Sequence, residues 1–158
     1  VQEGGKPNTL MDTGMASYYL GKYDDAQSSF ARAADVASAE ELPYALIWMA
    51  TAARKGGRDP GSAVRKYRSQ LSGDWPAEAV AFMLGEMDAD KLIAAAKRND
   101  KDLKLRLCEA YFYLGQKALL EGKPKDAKSW FAKSVETGAV MYREYAFSQH
   151  ELAKLGDF

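Results

Sequence analysis

Few residues of this chain have side chains that could supply a nucleophile, a base or a metal ligand. The chain has one histidine, His150, and one cysteine, Cys108. Catalytic and metal sites gather several such groups in one place, and neither residue has a second histidine or cysteine near it in the sequence. We therefore expect His150 to lie at the surface or at the edge of the core. We expect Cys108 to be a buried structural residue rather than a reactive thiol, and its lone presence excludes an internal disulfide.

Two acidic pairs and one glycine pair also have to be considered. Asp24–Asp25 and Asp88 with Asp90 resemble paired general acids and bases, but each pair falls at the start of a predicted helix. Capping and the helix dipole explain acidic residues there. Gly56–Gly57 lacks the rest of a phosphate-binding pattern and is typical of a helix end. The sequence therefore predicts no catalytic residues, no cofactor and no metal site.

Composition and charge narrow the class of protein further. The 158 residues are 47% hydrophobic, which is sufficient for a helical domain with a real core. Twenty-two basic residues balance twenty-two acidic ones, whereas nucleic-acid binders show a basic excess or a basic face. The mixed run from Lys97 to Arg106 predicts a solvated helix end. No apolar run approaches about 18 residues, so we expect no direct membrane insertion.

The helices of this chain can be predicted from a stretch of sequence that occurs twice, at 10–34 and again at 111–135. Small and aromatic residues recur 101 residues apart with identical intervals: Gly14, Gly21, Ala26, Phe30 and Ala33 in the first copy, and Gly115, Gly122, Ala127, Phe131 and Ser134 in the second. A repeat of this kind indicates stacked supersecondary units. Gly14 lets a second helix pack closely against the first, Ala26 does the same from the other side, and Phe30 fills the space between repeats.

This pattern resembles the tetratricopeptide repeat, in which two antiparallel helices occupy about 34 residues. Leu10–Leu20 is the predicted first helix, Gly21 its left-handed end, and Ala37 the approximate end of the second helix. Asn8 or Thr9 is the predicted N-cap of the first helix. The resemblance implies an all-α, tetratricopeptide-like solenoid of helical hairpins.

The distance between the two copies is close to three repeat lengths, so two weaker repeats are expected between them. We predict a flexible lead-in at 1–8 and a single helical repeat domain at 9–158. Within it we place about four repeats near 10–37, 43–71, 76–97 and 103–137, and a C-terminal capping helix at 141–155. In the weaker repeats Pro43 and Pro60 start helices, Ala63 and Tyr67 stand for Ala26 and Phe30, and Asp88 or Asp90 caps a helix. The capping helix is predicted to be amphipathic, with Tyr142, Tyr145, Ala146, Leu152 and Leu155 as its hydrophobic positions.

Three further segments resemble a more specific family than the general repeat. They are Leu107–Gln116, which continues into Leu119–Gly122; the helix that runs from Glu144 to Leu152; and Ala79–Gly85 in the middle of the chain. Together they look like the NlpI-type lipoprotein family of Gram-negative bacteria. The resemblance implies a periplasmic, all-helical adaptor that forms homodimers in many members, and members dock periplasmic proteases and cell-wall hydrolases. The family's lipid-bearing cysteine and its further N-terminal helices have no counterpart in this sequence.

Repeat geometry predicts which residues face a partner, because the first helix of each repeat lines a concave groove. The candidates are Met11, Met15, Tyr18 and Tyr19 in the first repeat, Arg54 in the second, Phe82 in the third, and Phe112, Gln116, Leu119 and Leu120 in the fourth. Methionine and tyrosine make adaptable apolar surfaces that suit peptides, so the predicted partner is an apolar helix or extended segment of another protein. The alternative is that these residues pack between helices.

The sequence thus predicts a non-catalytic scaffold or adaptor that binds a protein or peptide, with the bacterial periplasm as its location. Because the chain begins with Val1, either a leader has been removed or a fragment is present, and a cytoplasmic location stays open. Two other functions also stay open: a cytosolic peptide-binding chaperone or secretion co-factor, and an accessory domain of a larger enzyme.

Overall fold

The computed structural model describes residues 6–156, and this part of the chain is all-α, as the sequence predicts. It contains α1 (Pro7–Tyr19), α2 (Tyr23–Val36), α3 (Leu42–Lys55), α4 (Pro60–Val64), a 3-10 helix (Arg65–Gln70), α5 (Ala77–Met83), α6 (Ala89–Ala96), α7 (Leu103–Leu120), α8 (Pro124–Glu136) and α9 (Arg143–Leu155).

The chain divides into two compact units, Val1–Leu84 and Gly85–Phe158, and the assignment of 9–158 to a single repeat domain stays a prediction. In the first unit α1 packs against α2, α2 against α3, and α3 against α4 and α5. In the second unit α6 packs against α7, α7 against α8, and α9 against α8 and α7. Each unit contains one copy of the repeated stretch, and each buries its apolar side chains between adjacent helices.

The two repeated hairpins close around the same contact. A Cβ atom added to Gly14 would lie 2.5 Å from Phe30 Cε1, and one added to Gly115 would lie 2.5 Å from Phe131 Cε1. Both phenylalanines are fully buried, as are Ala26 and Ala127. The glycine therefore leaves the space that the aromatic ring occupies, which is the role that the repeat spacing predicts.

The turn after the first helix is also the same in both copies. Gly21 and Gly122 have φ values of 77° and 71°, a conformation that L side chains rarely adopt. Gly21 N donates to Tyr18 O and Lys22 N donates to Ser17 O, and Gly122 and Lys123 make the matching pair of hydrogen bonds. This is the Schellman arrangement, which satisfies the last carbonyl groups of a helix. The predicted left-handed end at Gly21 is confirmed.

The start of α1 differs from the prediction. The helix begins at Pro7, Lys6 is its N-cap, and no side chain caps it, so neither Asn8 nor Thr9 has the predicted role. Proline is well suited to the first helical position, because its fixed φ matches the helix and its missing N–H has no partner to lose there. Of the predicted lead-in, residues 1–5 lie outside the described part of the chain.

The first weak repeat forms with a shortened second helix. Pro43 lies in the first turn of α3, and Pro60 begins α4 as predicted. The Asp59 side chain caps α4 by accepting from Ser62 N at 2.7 Å. After Val64 the chain tightens into the 3-10 helix, whose Tyr67 is buried.

The two helices of the second weak repeat fall in different units. α5 packs against α3 in the first unit, and α6 packs against α7 in the second. Asp88 caps α6 by accepting from Lys91 N at 2.9 Å, so of the two predicted capping residues it is Asp88 that has this role.

Candidate partner-binding surface

The predicted groove residues of α1 lie mainly inside the first unit. Met11, Met15 and Tyr18 are buried, with 5–7% of their surface exposed. The Tyr18 ring makes edge contacts with the rings of Tyr19 and Trp48, at centroid distances of 5.3 and 5.5 Å. In the chain by itself these side chains pack between helices and stabilise the hairpin. This is the alternative to partner binding that the sequence left open.

An apolar surface remains where α1 turns into α2. Leu20 is 72% exposed, and Tyr19 and Tyr23 on either side of the turn are half-buried. Tyr18 contacts both tyrosines, with ring centroids 5.3 and 5.5 Å apart. We call Tyr19, Leu20 and Tyr23 the turn patch. Of these three residues only Tyr19 is among the predicted groove residues, because helical spacing marks positions along a helix and not the residues of a turn.

The turn patch adjoins a shallow cleft of about 450 Å³ that Gly21–Asp25 line together with Gly56. A Cβ atom at Gly56 would lie 3.2 Å from Tyr23 Cβ, so the end of α3 lies close to the turn. Arg54, the predicted site residue in the last turn of α3, is half-buried. The cleft therefore combines an aromatic edge with the charges of Lys22, Asp24 and Asp25.

A second cleft, of about 300 Å³, lies beside the first and is bridged by Arg58. Its lining comprises Asp24, Gln27, Ser28, Ala31 and Arg58. Arg58 forms an ion pair with Asp24, and its Nε donates to Gln27 Oε1 at 2.7 Å. These contacts hold the loop before α4 against α2.

The 3-10 helix is joined to the C-terminal part of α2 by a polar contact. Tyr67 OH donates to Asp35 Oδ1 at 2.7 Å, and Lys66 Nζ lies 3.3 Å from the same oxygen. The hydrogen bond from Tyr67, and then Lys66, lowers the pKa of Asp35 below 3.8 even though desolvation opposes the shift. Burial and the nearby Asp35 raise the pKa of Tyr67 to about 12, so its hydroxyl stays a donor.

The remaining predicted site residues are also largely enclosed. Phe82 on α5 is buried in the first unit. On α7, Phe112 and Gln116 are 1% and 3% exposed, and the Phe112 ring lies 6.1 Å from that of Phe147 on α9. Leu119 and Leu120 are half-buried at the end of α7. The assignment of these residues to partner binding stays a prediction.

The second unit carries a half-buried aromatic pair that is not among the predicted site residues. The rings of Tyr111 on α7 and Trp130 on α8 stack at 5.9 Å with an interplanar angle of 17°. Lys133 Nζ lies 4.7 Å from the Trp130 ring centroid and covers it. The first copy has Leu10, Ser29 and Arg32 at these positions, so the spacing of the repeat does not reveal the pair.

The groups with possible chemistry lie where a structural role explains them. Cys108 is fully buried, and its Sγ lies 3.4 Å from Ser134 Oγ, which donates to Cys108 O at 2.9 Å. Burial raises the pKa of the Cys108 thiol, although hydrogen bonds with Ser134 and Thr137 oppose the shift. A thiol with a raised pKa is a weak nucleophile at neutral pH. His150 is exposed on α9.

The described part of the chain has neither a cluster of metal-binding side chains nor a helix that could span a membrane. Between residues 6 and 156, no three His, Cys, Asp or Glu side chains are arranged to hold a metal ion. No helix in that range combines the length and the apolar character needed to cross a membrane.

Comparison with known proteins finds a distant similarity. No family model matches the chain. The chain is similar to the lipoprotein NlpI homolog of Haemophilus influenzae, with 27% identity over an alignment of 158 positions that covers 97% of this chain and 50% of that protein. The chain therefore spans about half the length of this relative. The similarity runs through both units and agrees with the resemblance that the sequence segments carry.

Proposed function

We propose that the chain belongs to the NlpI-type family and acts as a non-catalytic adaptor that binds another protein or peptide in the bacterial periplasm. The similarity to a lipoprotein NlpI homolog over 97% of the chain carries this proposal. The repeated hairpins support it, because stacked hairpins of this kind present long surfaces for protein partners.

The turn patch is the surface that we assign to the partner. Leu20 projects into solvent beside two half-buried tyrosines, and tyrosine supplies apolar area with a polar handle. An apolar side chain from a helix or an extended segment of the partner would cover Leu20. The neighbouring cleft would then receive polar groups next to Lys22, Asp24 and Asp25.

Site-specific photo-crosslinking tests this assignment. A photoreactive residue is placed at Leu20, and in a matched control at Val36, which is a 49% exposed apolar residue at the other end of the same hairpin. Each protein is irradiated in an envelope extract of the source organism. We expect a discrete adduct from position 20 and none of that mass from position 36. Equal adducts from both positions, or none from either, would contradict the assignment.

A further inference from the structure

The helix α9 buries a polar face where an apolar one is expected. Its buried residues are Glu144, Ser148 and Glu151, with 7%, 0% and 3% of their surface exposed. The spacing of four and three residues places them on one side of the helix. The hydrophobic positions of α9, including Tyr145, Leu152 and Leu155, are only half-buried. Because α9 packs against α7 and α8, this polar stripe lies within the second unit.

α7 carries a matching stripe. Glu109, Tyr113 and Gln116 have the same spacing of four and three residues, and each is 1–3% exposed. Phe112 on this helix contacts Phe147 on α9. Glu109 and Glu144 both act on the Cys108 thiol and on the Tyr142 hydroxyl, which places the two carboxyl groups in one electrostatic neighbourhood.

The charges around the two stripes are mainly acidic, with Arg143 as a cation beside Glu144. Arg143, at the start of α9, acts on Glu144 and opposes the effect of burial on its pKa. Glu109 and Glu144 both raise the pKa of the Cys108 thiol and of the Tyr142 hydroxyl, and Asp102 just before α7 also raises that of Tyr142. The neutral hydroxyls of Ser134 on α8 and Thr137 just after α8 contact the thiol. At the far end of the stripe Glu151 pairs with Lys154 at 3.7 Å. The Ser148 Oγ has no hydrogen-bond partner, so the stripe is incompletely satisfied.

We propose that α9 is a proton-sensitive strap over α7: it stays docked while the buried Glu144 is protonated, and it leaves α7 when this carboxyl group releases its proton to solvent. An ionised Glu144 at this buried position loses its hydration, and a second carboxylate in the neighbourhood adds repulsion, whereas a neutral carboxyl group has neither cost. A docking face built from polar groups also has little apolar area to hold the helix once the charges appear.

The direction of the pH effect follows from Glu144. Burial raises the pKa of its carboxyl group above the ordinary 4.5, against smaller opposing effects of its own backbone N–H and Arg143. A carboxyl group whose pKa is raised by folding stabilises the folded state below its unfolded pKa, and this stabilisation is lost as the pH rises through the folded pKa. The strap is therefore docked at mildly acidic pH and released toward neutral and alkaline pH.

Release of α9 would uncover Phe112 and Gln116, two of the predicted partner-facing residues. This consequence rests on the proposed function. The docking equilibrium does not, because it is a property of the second unit alone, whereas the turn patch lies in the first.

Hydrogen exchange of the full chain at about pH 5 and about pH 7.5, corrected for the intrinsic pH dependence of exchange, tests the strap. We expect protection of Arg143–Leu155 to fall at least about tenfold at the higher pH, while α8 keeps its protection. Glu144→Gln and Glu109→Gln keep a neutral side chain and are expected to reduce this fall to less than about threefold. Glu136→Gln, an exposed glutamate on α8, is the matched control and retains the wild-type fall.

Equal protection of α9 at both pH values in the wild-type chain would overturn the proposal. So would a fall that α8 shares, because that is unfolding of the whole unit. If Glu144→Gln does not fold, the wild-type chain and Glu109→Gln decide the question by the same criteria.

Discussion

The close packing of Gly115 against Phe131 can be tested by adding a single methyl group at Gly115. A Cβ atom there would lie 2.5 Å from Phe131 Cε1, and the ring cannot move aside because it is fully buried. Overpacking of a well-packed core costs about 1–3 kcal/mol. We expect Gly115→Ala to lose stability in this range, measured by urea unfolding followed by circular dichroism.

Gly61→Ala is the matched control, because a Cβ atom on this helical glycine would be 3.5 Å from Asp59 Oδ2, which is ordinary contact. It should be neutral or stabilising by up to about 1 kcal/mol. Phe131→Leu combined with Gly115→Ala should recover part of the loss, since the two positions touch. Equal stability of Gly115→Ala and the wild-type chain would mean that the glycine and the phenylalanine are not in contact.

Two buried serines in the second unit provide a second residue-scale test. Both are fully buried, but Ser134 Oγ donates to Cys108 O at 2.9 Å, whereas Ser148 Oγ has no partner. We expect Ser134→Ala to cost about 1 kcal/mol and Ser148→Ala to be neutral or stabilising, because removal of an unsatisfied buried hydroxyl costs nothing. Thermal melting of both variants checks this, and a larger loss for Ser148→Ala would show that its hydroxyl is hydrogen-bonded.

These residues also show how far sequence reasoning reaches. The roles of Gly14, Phe30, Gly115 and Phe131 were predictable, because close helix crossing requires a small residue opposite a large one at a fixed interval. The buried stripe of α9 was not. Its polar residues and its hydrophobic residues both have helical spacing, and a periodic pattern shows that a helix has two faces without showing which face a neighbour covers.

At the scale of elements, the contact between α2 and the 3-10 helix gives the first unit an acid sensitivity. The pKa of Asp35 is lowered, first by the hydrogen bond from Tyr67 and then by Lys66. A carboxyl group with a lowered pKa stabilises the folded state above its unfolded value of 3.8, and this stabilisation is lost as the pH falls through the folded pKa. The sign is opposite to that of Glu144 in the second unit.

We therefore expect Tyr67→Phe to lower the stability of the first unit by about 1 kcal/mol at neutral pH. The loss should be smaller at acidic pH, because the stabilisation by Asp35 is lost in the wild-type chain as the pH falls through the folded pKa. Intrinsic fluorescence during urea unfolding at neutral and at acidic pH measures the difference. Tyr145→Phe is the control, because its hydroxyl lies on α9 and accepts from Gln149 at 3.4 Å. A loss for Tyr67→Phe that does not depend on pH would exclude the bond to Asp35 as its cause.

The elements between the two copies were predicted less well than the copies themselves. Pro43, Pro60 and Asp88 marked helix starts correctly, because proline and capping residues act on the local backbone. No proline or capping residue indicates that the second half of a helix is replaced by the 3-10 helix at Arg65–Gln70. The predicted hairpin at 76–97 consists of helices of seven and eight residues, which are too short to be stable without their neighbours in each unit.

At the scale of the whole molecule, the sequence predicted the all-α repeat architecture but not the division at Leu84–Gly85. Periodicity reports which residues face inward along one helix, and it carries little information on where contacts between successive helices become sparse. For the same reason, helical periodicity does not distinguish groove residues from residues that a neighbouring helix covers. Met15, Tyr18 and Phe112 have groove positions by repeat counting, yet neighbouring helices bury them, whereas Leu20 lies in a turn that the counting passes over.

The central claim is that the protein binds a partner through an apolar surface at the α1–α2 turn. A leucine that is exposed in the free protein and fully covered by a partner contributes about 1.5–3 kcal/mol to the binding free energy. Each 1.4 kcal/mol corresponds to a tenfold change in affinity. Leu20→Asp and Val36→Asp introduce the same charge at two exposed apolar sites of one hairpin. Their melting temperatures should match that of the wild-type chain.

The decisive measurement is the affinity of these two variants for the partner that crosslinks at position 20. We expect Leu20→Asp to bind at least about tenfold more weakly than the wild-type chain and Val36→Asp to bind as the wild-type chain does. Wild-type affinity in Leu20→Asp, or an equal loss in both variants, would contradict the account.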